Sequence, residues 1–115
     1  MTDYLFLFRG GDAHMSKLSP EEMQKNMQKW MTWIDQLSRA GTFKAGEPLD
    51  KSGKVIRGKK QVVTDGPYAE SKDLVGGYLI VKAASLAKAT EIAKGCPIFE
   101  SNGSVEIREI RELHA

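Results

Sequence analysis

Asp65-Gly66-Pro67 is where this 115-residue chain aims a reactive side chain most firmly. Proline fixes its own φ and pushes the preceding residue out of the right-handed helical region, so Asp65 sits at a stiff turn. A carboxylate held there has two uses. It can accept backbone N–H bonds from its own turn, as Asp does routinely, or it can face a ligand and move a proton. The sequence leaves both open. His14 follows the first apolar run and is a second candidate base, with a surface histidine as the plainer reading. Arg9 and Arg108 could clamp an anion across a cavity, or pair with a neighbouring acid such as Glu106. Glu70, Lys72 and Asp73 read as a solvated loop or as a charged rim beside Asp65. Asp12 and His14 offer two metal ligands where zinc needs three or four, and His114 in the tail adds nothing dependable. Neither metal nor cofactor is expected. Cys96 has no base beside it in sequence and reads as a packed thiol.

The elements that must position these groups follow from hydrophobic period. Residues 4–8, Tyr-Leu-Phe-Leu-Phe, form a strand that is apolar on both faces and needs cover from two directions. Ser19-Pro20-Glu21-Glu22 is a capping box with Pro in the first turn, opening a helix that runs to about Ala40 and stops at Gly41. Met23, Met27, Trp30, Met31, Trp33, Ile34 and Leu37 fall on one broad stripe of that helix. Asn26 lies inside the stripe, near the helix end or lining a polar spot. A short strand over 42–46 comes next, then a hairpin over 54–64 whose Gly58-Lys59 fits a type II′ turn. Gly76-Gly77 opens an apolar strand to Lys82, where Tyr78 joins Trp30 as a candidate wall of a ligand cavity. A helix over 86–94, with Leu86, Ala89 and Ala93 on one face, precedes a last strand over 104–111.

That order is a single α+β domain over 1–115, a ferredoxin-like split βαβ with a β-hairpin inserted at its midpoint. The first and last strands, carrying Arg9 and Arg108, are read as the central pair. Two helices cover one sheet face, so the other calls for a partner. A second copy is the economical choice, giving a homodimer whose facing sheets enclose a pocket.

Bulk properties narrow the class. Seventeen basic and fifteen acidic residues are interspersed, without a basic block for nucleic acid. An RNA-recognition strand would need a basic residue before its glycine and further aromatics, where Gly76, Ile80 and Ala83 stand. No apolar run approaches the ~20 residues of a membrane span, and the N-terminus lacks a signal-peptide pattern. One cysteine fits a reducing cytoplasm. Neither nucleic acid nor membrane is an expected partner.

The run Asp-Gly-Pro-Tyr-Ala-Glu-Ser-Lys over 65–72, the Gly76-Gly77-Tyr78 strand opening, Cys96-Pro97 and the Gly-Ser-Val-Glu-Ile-Arg ending resemble the DGPF subgroup of the YCII-related proteins. The resemblance spans 62–111 and implies a ferredoxin-like fold assembled as a dimeric α/β barrel. It also implies bacterial context and, through gene linkage, a connection of some members to alternative sigma factors. Wider relatives suggest an enzyme with a His on the first helix and an Asp before a Pro after the second. Here Trp30 and Cys96 stand in those places, so that dyad does not carry over.

The expectation is a cavity holding a small polar or anionic molecule, with Arg9, Asn26, Trp30, Tyr78 and Arg108 as binding residues. The alternative is a cofactor-free lyase- or isomerase-like enzyme in which Asp65 or His14 moves the proton. A third reading, resting on family context, is a regulatory partner of sigma-factor transcription machinery.

Overall fold

A computed structural model describes residues 1–66 and 73–113. Strands β1 (Thr2–Arg9), β2 (Phe43–Pro48), β5 (Val75–Ala83) and β6 (Ser104–Glu109) form an antiparallel sheet in the order β2-β5-β1-β6. The helices are α1 (Asp12–Met15), α2 (Pro20–Arg39) and α3 (Leu86–Ala93), with a 3₁₀ turn over Pro97–Ser101. Strands β3 (Gly53–Arg57) and β4 (Val62–Gly66) pair only with each other. No described helix is long and apolar enough to cross a membrane.

The split βαβ reading therefore holds, with one correction to its order. β1 and β5 are the central strands and β6 is an edge, so Arg108 sits on the rim of the sheet. Each βαβ crossover skips one strand position: β2 lands beyond β5, and β6 lands beyond β1.

Period 2 divides β1 cleanly. Tyr4, Phe6 and Phe8 are buried under the helices, whereas Leu5 and Leu7 lie half-buried on the opposite, uncovered face. Leu79, Val81 and Ala83 join the covered side. α2 closes it with Trp33 and Leu37 buried and with Trp30 and Ile34 packed against them. The apolar stripe is narrower than its sequence suggests. Met27 and Met31 are 56% and 67% exposed, because a 100°-wide arc suffices to cover a four-stranded sheet. Leu86 is likewise exposed, while Ala89 and Ala93 pack.

α2 starts and stops as its sequence dictates. Ser19 Oγ accepts from Glu22 N–H at 3.1 Å and Glu22 Oε1 accepts from Ser19 N–H at 3.3 Å, a reciprocal cap of about 1 kcal/mol. At the other end Gly41 takes φ +73° and Thr42 N–H donates to Leu37 O at 2.9 Å, a Schellman closure. Thr42 O then accepts from Lys82 N–H at 2.8 Å, which feeds the chain into β2 beside β5.

The segment after β1 contains the short helix α1, and one local expectation changes. The hairpin is joined by four residues, Gly58–Gln61, rather than by a two-residue turn. Arg57 pairs with Val62, Gln61 N–H donates to Gly58 O at 3.1 Å, and both residues take positive φ.

Candidate functional site

The short end of the sheet, where β1 ends and β5 begins, is poor in side chains. Gly10, Gly11, Gly46, Gly76 and Gly77 all meet there, and Gly77 stands directly across from Phe8. With no side chain at these positions, α2 spans a cavity of about 500 Å³ between itself and the sheet. Phe8 and Trp30 form its aromatic wall, their rings edge-to-face at 5.0 Å. Trp33 buttresses both from behind, 6.3 Å from Phe8 and 5.9 Å from Trp30. Ile98 of the 3₁₀ turn closes another side. Its place depends on Gly103, where a Cβ would lie 2.5 Å from Ile98 Cγ1 and 2.8 Å from Arg9 O. Gly46 is similarly constrained, with a Cβ falling 2.8 Å from Tyr78 O.

Arg9 stands at the mouth of this cavity, with its guanidinium turned to the open sheet face, where Glu106 is the register partner of Leu7. Its Nε and Nη2 each lie 3.3 Å from Glu106 Oε1, and Nη1 donates to Asp73 O at 2.9 Å. Arg108 Nη1 takes the other Glu106 oxygen at 3.3 Å, so one carboxylate serves two arginines. The cluster keeps a net positive charge. Arg9 is held in place rather than free to swing, the preorganised state in which a guanidinium recognises a planar anion at least entropic cost. Arg9 and Leu74 also border a second, more polar cavity of about 430 Å³ that includes Asp50, Ser52 and Asp73.

Of the seven residues singled out from sequence, Arg9, Trp30 and Tyr78 border the main cavity, but only the Trp30 side chain lies on its helix side, since Tyr78 alternates with buried Leu79 and turns its ring to the open sheet face. Asn26 is one helical turn before Trp30 and lies outside the wall, its Oδ1 buried with no hydrogen-bond partner among the described residues. Arg108 is 69% exposed on the edge strand. His14 is exposed on α1, next to Met15, which does line the cavity. Asp65 is distant in role and place. It belongs to β4 opposite Lys54, is 84% exposed, and its carboxylate pairs with the Lys54 ammonium. The bend expected at Asp65-Gly66 is thus extended strand through Gly66, since Gly53 pairs with it. Pro67, Glu70, Lys72 and His114 lie outside the described residues.

Cys96 is buried in the core, where burial pushes its thiol up to about 12 against a smaller lowering by the backbone hydrogen bond from Ile98. A thiol in that state is neither nucleophile nor ligand at neutral pH. Sequence reasoning missed the glycine-framed end of the cavity. The pairs Gly10-Gly11 and Gly76-Gly77, each at the end of an apolar strand, were the signal for it.

The fold matches that of a 5-chloro-2-hydroxyhydroquinone dehydrochlorinase (TftG) from Burkholderia phenoliruptrix AC1100, solved as a complex with 2,5-dihydroxybenzoquinone. The match has a TM-score of 0.54 at 14% identity and covers 100% of this chain and 96% of that one. At that identity the likeness is one of fold. No curated protein matches the chain. A family model for the YCII-related domain matches residues 2–114, and the chain belongs to the YCII-related family.

Proposed function

We propose that the cavity between α2 and the sheet binds a small planar organic molecule, its apolar face against Phe8 and Trp30 and its polar or anionic edge toward Arg9. The observation that carries this reading is an aromatic-walled cavity of about 500 Å³ with Arg9 at its mouth, its guanidinium fixed by Glu106 and Asp73 O at the open-face side of the sheet end. That volume lies within the range of small-molecule sites, which are mostly apolar with a few placed polar groups. The structural neighbour supports the same class, since its complex holds a hydroxylated quinone. The pocket lies within one protomer rather than between facing sheets, which shifts the expected site from the dimer interface to the helix side.

If the bound molecule is turned over without a cofactor, His14 is the better-placed proton carrier. It adjoins Met15 in the cavity wall, whereas Asp65 is paired with Lys54 outside that wall. The open sheet face, with Leu5, Leu7, Tyr78 and Ile80 half-buried at its centre, is proposed to meet the same face of a second copy. A sheet apolar on both sides needs that cover.

A thermal-shift panel of planar aromatic carboxylates, phenols and hydroxyquinones, each beside a neutral analogue, tests the binding reading. Anionic members should raise the melting temperature saturably in the wild type and lose most of that effect in Arg9→Met and Trp30→Ala. A panel with no stabilising member, or stabilisation unchanged in both variants, would sink it.

A further inference from the structure

The β3–β4 hairpin lines neither cavity, and of its two faces the one carrying Val55 and Thr64 is half-buried while the one carrying Ile56 and Val63 is exposed. Its strands hydrogen-bond only to each other, apart from the main sheet. Ile56 and Val63 face each other across the ladder at 65% and 57% exposure, and Val62 is 53% exposed. An isolated two-stranded hairpin is marginal in water and needs a surface to pack on. Among the described residues, none covers the Ile56–Val63 face. The molecule is 48 × 46 Å across but 18 Å thick, the depth of one sheet and one helix layer, which leaves no third layer for that face. The radius of gyration is 15.8 Å, against about 13 Å for a compact chain of this length. The hairpin is an arm.

We infer that this arm packs on a second copy of the chain and completes the dimer that the open sheet face begins. The inference rests on the proposed sheet-to-sheet dimer. Area argues for it. A face four strands wide and six or seven residues long covers roughly 400 Å², about half of the ~800 Å² per partner in a stable interface. In a two-fold dimer each chain both donates its arm and receives the other's. Each of those contacts adds roughly 150 Å² for a two-stranded, five-residue ladder, which brings the total close to the requirement. Charge selects where the arm lands. Lys54, Arg57, Lys59 and Lys60 outnumber Asp65, giving the arm +3 of a chain total of +2, so the body carries −1. Two arms repel each other, whereas an arm on the partner's body does not.

The test is sedimentation equilibrium of the full chain, with wild type, Ile56→Ser/Val63→Ser and Leu7→Arg compared from 1 to 200 µM. Hydrogen exchange of the hairpin amides is followed over the same range. The expected result is a wild-type dimer whose dissociation constant rises at least thirtyfold in the arm double variant. Hairpin amides should be protected only at concentrations where dimer is present. Far-UV dichroism of the double variant should match wild type, since both residues are exposed in the protomer. A double variant that dimerises within twofold of wild type overturns the arm while leaving the sheet-face dimer standing, provided Leu7→Arg dissociates it. A wild type that stays monomeric throughout overturns both.

Discussion

The body and the arm of this protein answer to different physics. In the body, β1 and α2 interlock around Phe6, Phe8, Trp30 and Trp33, and the cavity exists because five glycines withhold side chains beside that cluster. In the arm, ten strand residues form a ladder with Ile56, Val62 and Val63 facing solvent and, among the described residues, the salt bridge of Lys54 to Asp65. Asp65 and Gly66 of the Asp-Gly-Pro motif belong to the arm, while the candidate chemistry belongs to the body. A conspicuous motif can mark a family without marking its pocket.

The contrast sharpens into energies. Phe6→Ala removes a fully buried ring at the centre of the body and should cost about 3–5 kcal/mol, read from chemical denaturation. A loss under about 1 kcal/mol would mean that the body is not packed as described. Gly103→Ala should cost about 1–3 kcal/mol through overpacking against Ile98 and the Arg9 carbonyl. Gly58→Ala in the arm, at φ +71° with open space around it, should cost about 1 kcal/mol from backbone strain alone. If the two alanines cost the same, the distinction between a crowded body and an uncrowded arm fails.

Ionisation separates the regions again. The folded Cys96 thiol is raised to about 12 from 9.0, so the unfolded chain loses its proton first as pH climbs. The unfolded state then binds fewer protons, and stability should be fully present below pH 9 and decline between about 9 and 12. A Cys96→Ala variant should flatten that decline, and native Cys96 should resist a disulfide reagent at pH 8. Asp65→Asn is the smallest expected effect. An exposed pair contributes about 0–1 kcal/mol, so the melting temperature should move by a degree or two at most. A larger drop would show the arm's salt bridge to be part of a buried interface, and would blur the comparison in an informative way.

Much of this was legible in the sequence. The double-faced apolar pattern of residues 4–8 marked a strand needing cover on both sides, and Ser19 to Glu22 located the start of α2 to the residue. Trp30 was readable as a wall residue because its period puts it on the inner helix stripe, whereas Tyr78 and Arg9, read the same way, turn their side chains to the open face of the sheet. The strand order was misread because sequence adjacency says nothing about which strand a crossover skips. The extent of β4 through Asp65-Gly66 was hidden because Asp-Gly is a turn signal locally, and pairing with Gly53-Lys54 overrides it. The cavity itself was invisible because it is a consequence of missing side chains drawn from three separate segments.

The central claim is that ligand enters the body beside Trp30. Indole ¹H–¹⁵N resonances of Trp30 and Trp33, assigned by single substitution, report on it directly during titration with 2,5-dihydroxybenzoquinone and with a panel of planar aromatic acids. The expected result is a saturable shift of the Trp30 indole with a smaller one at Trp33, both lost in Arg9→Met, while the Lys54 and Asp65 amides stay still. Trp30 unmoved by every probe, or shifts confined to the arm, would contradict the account.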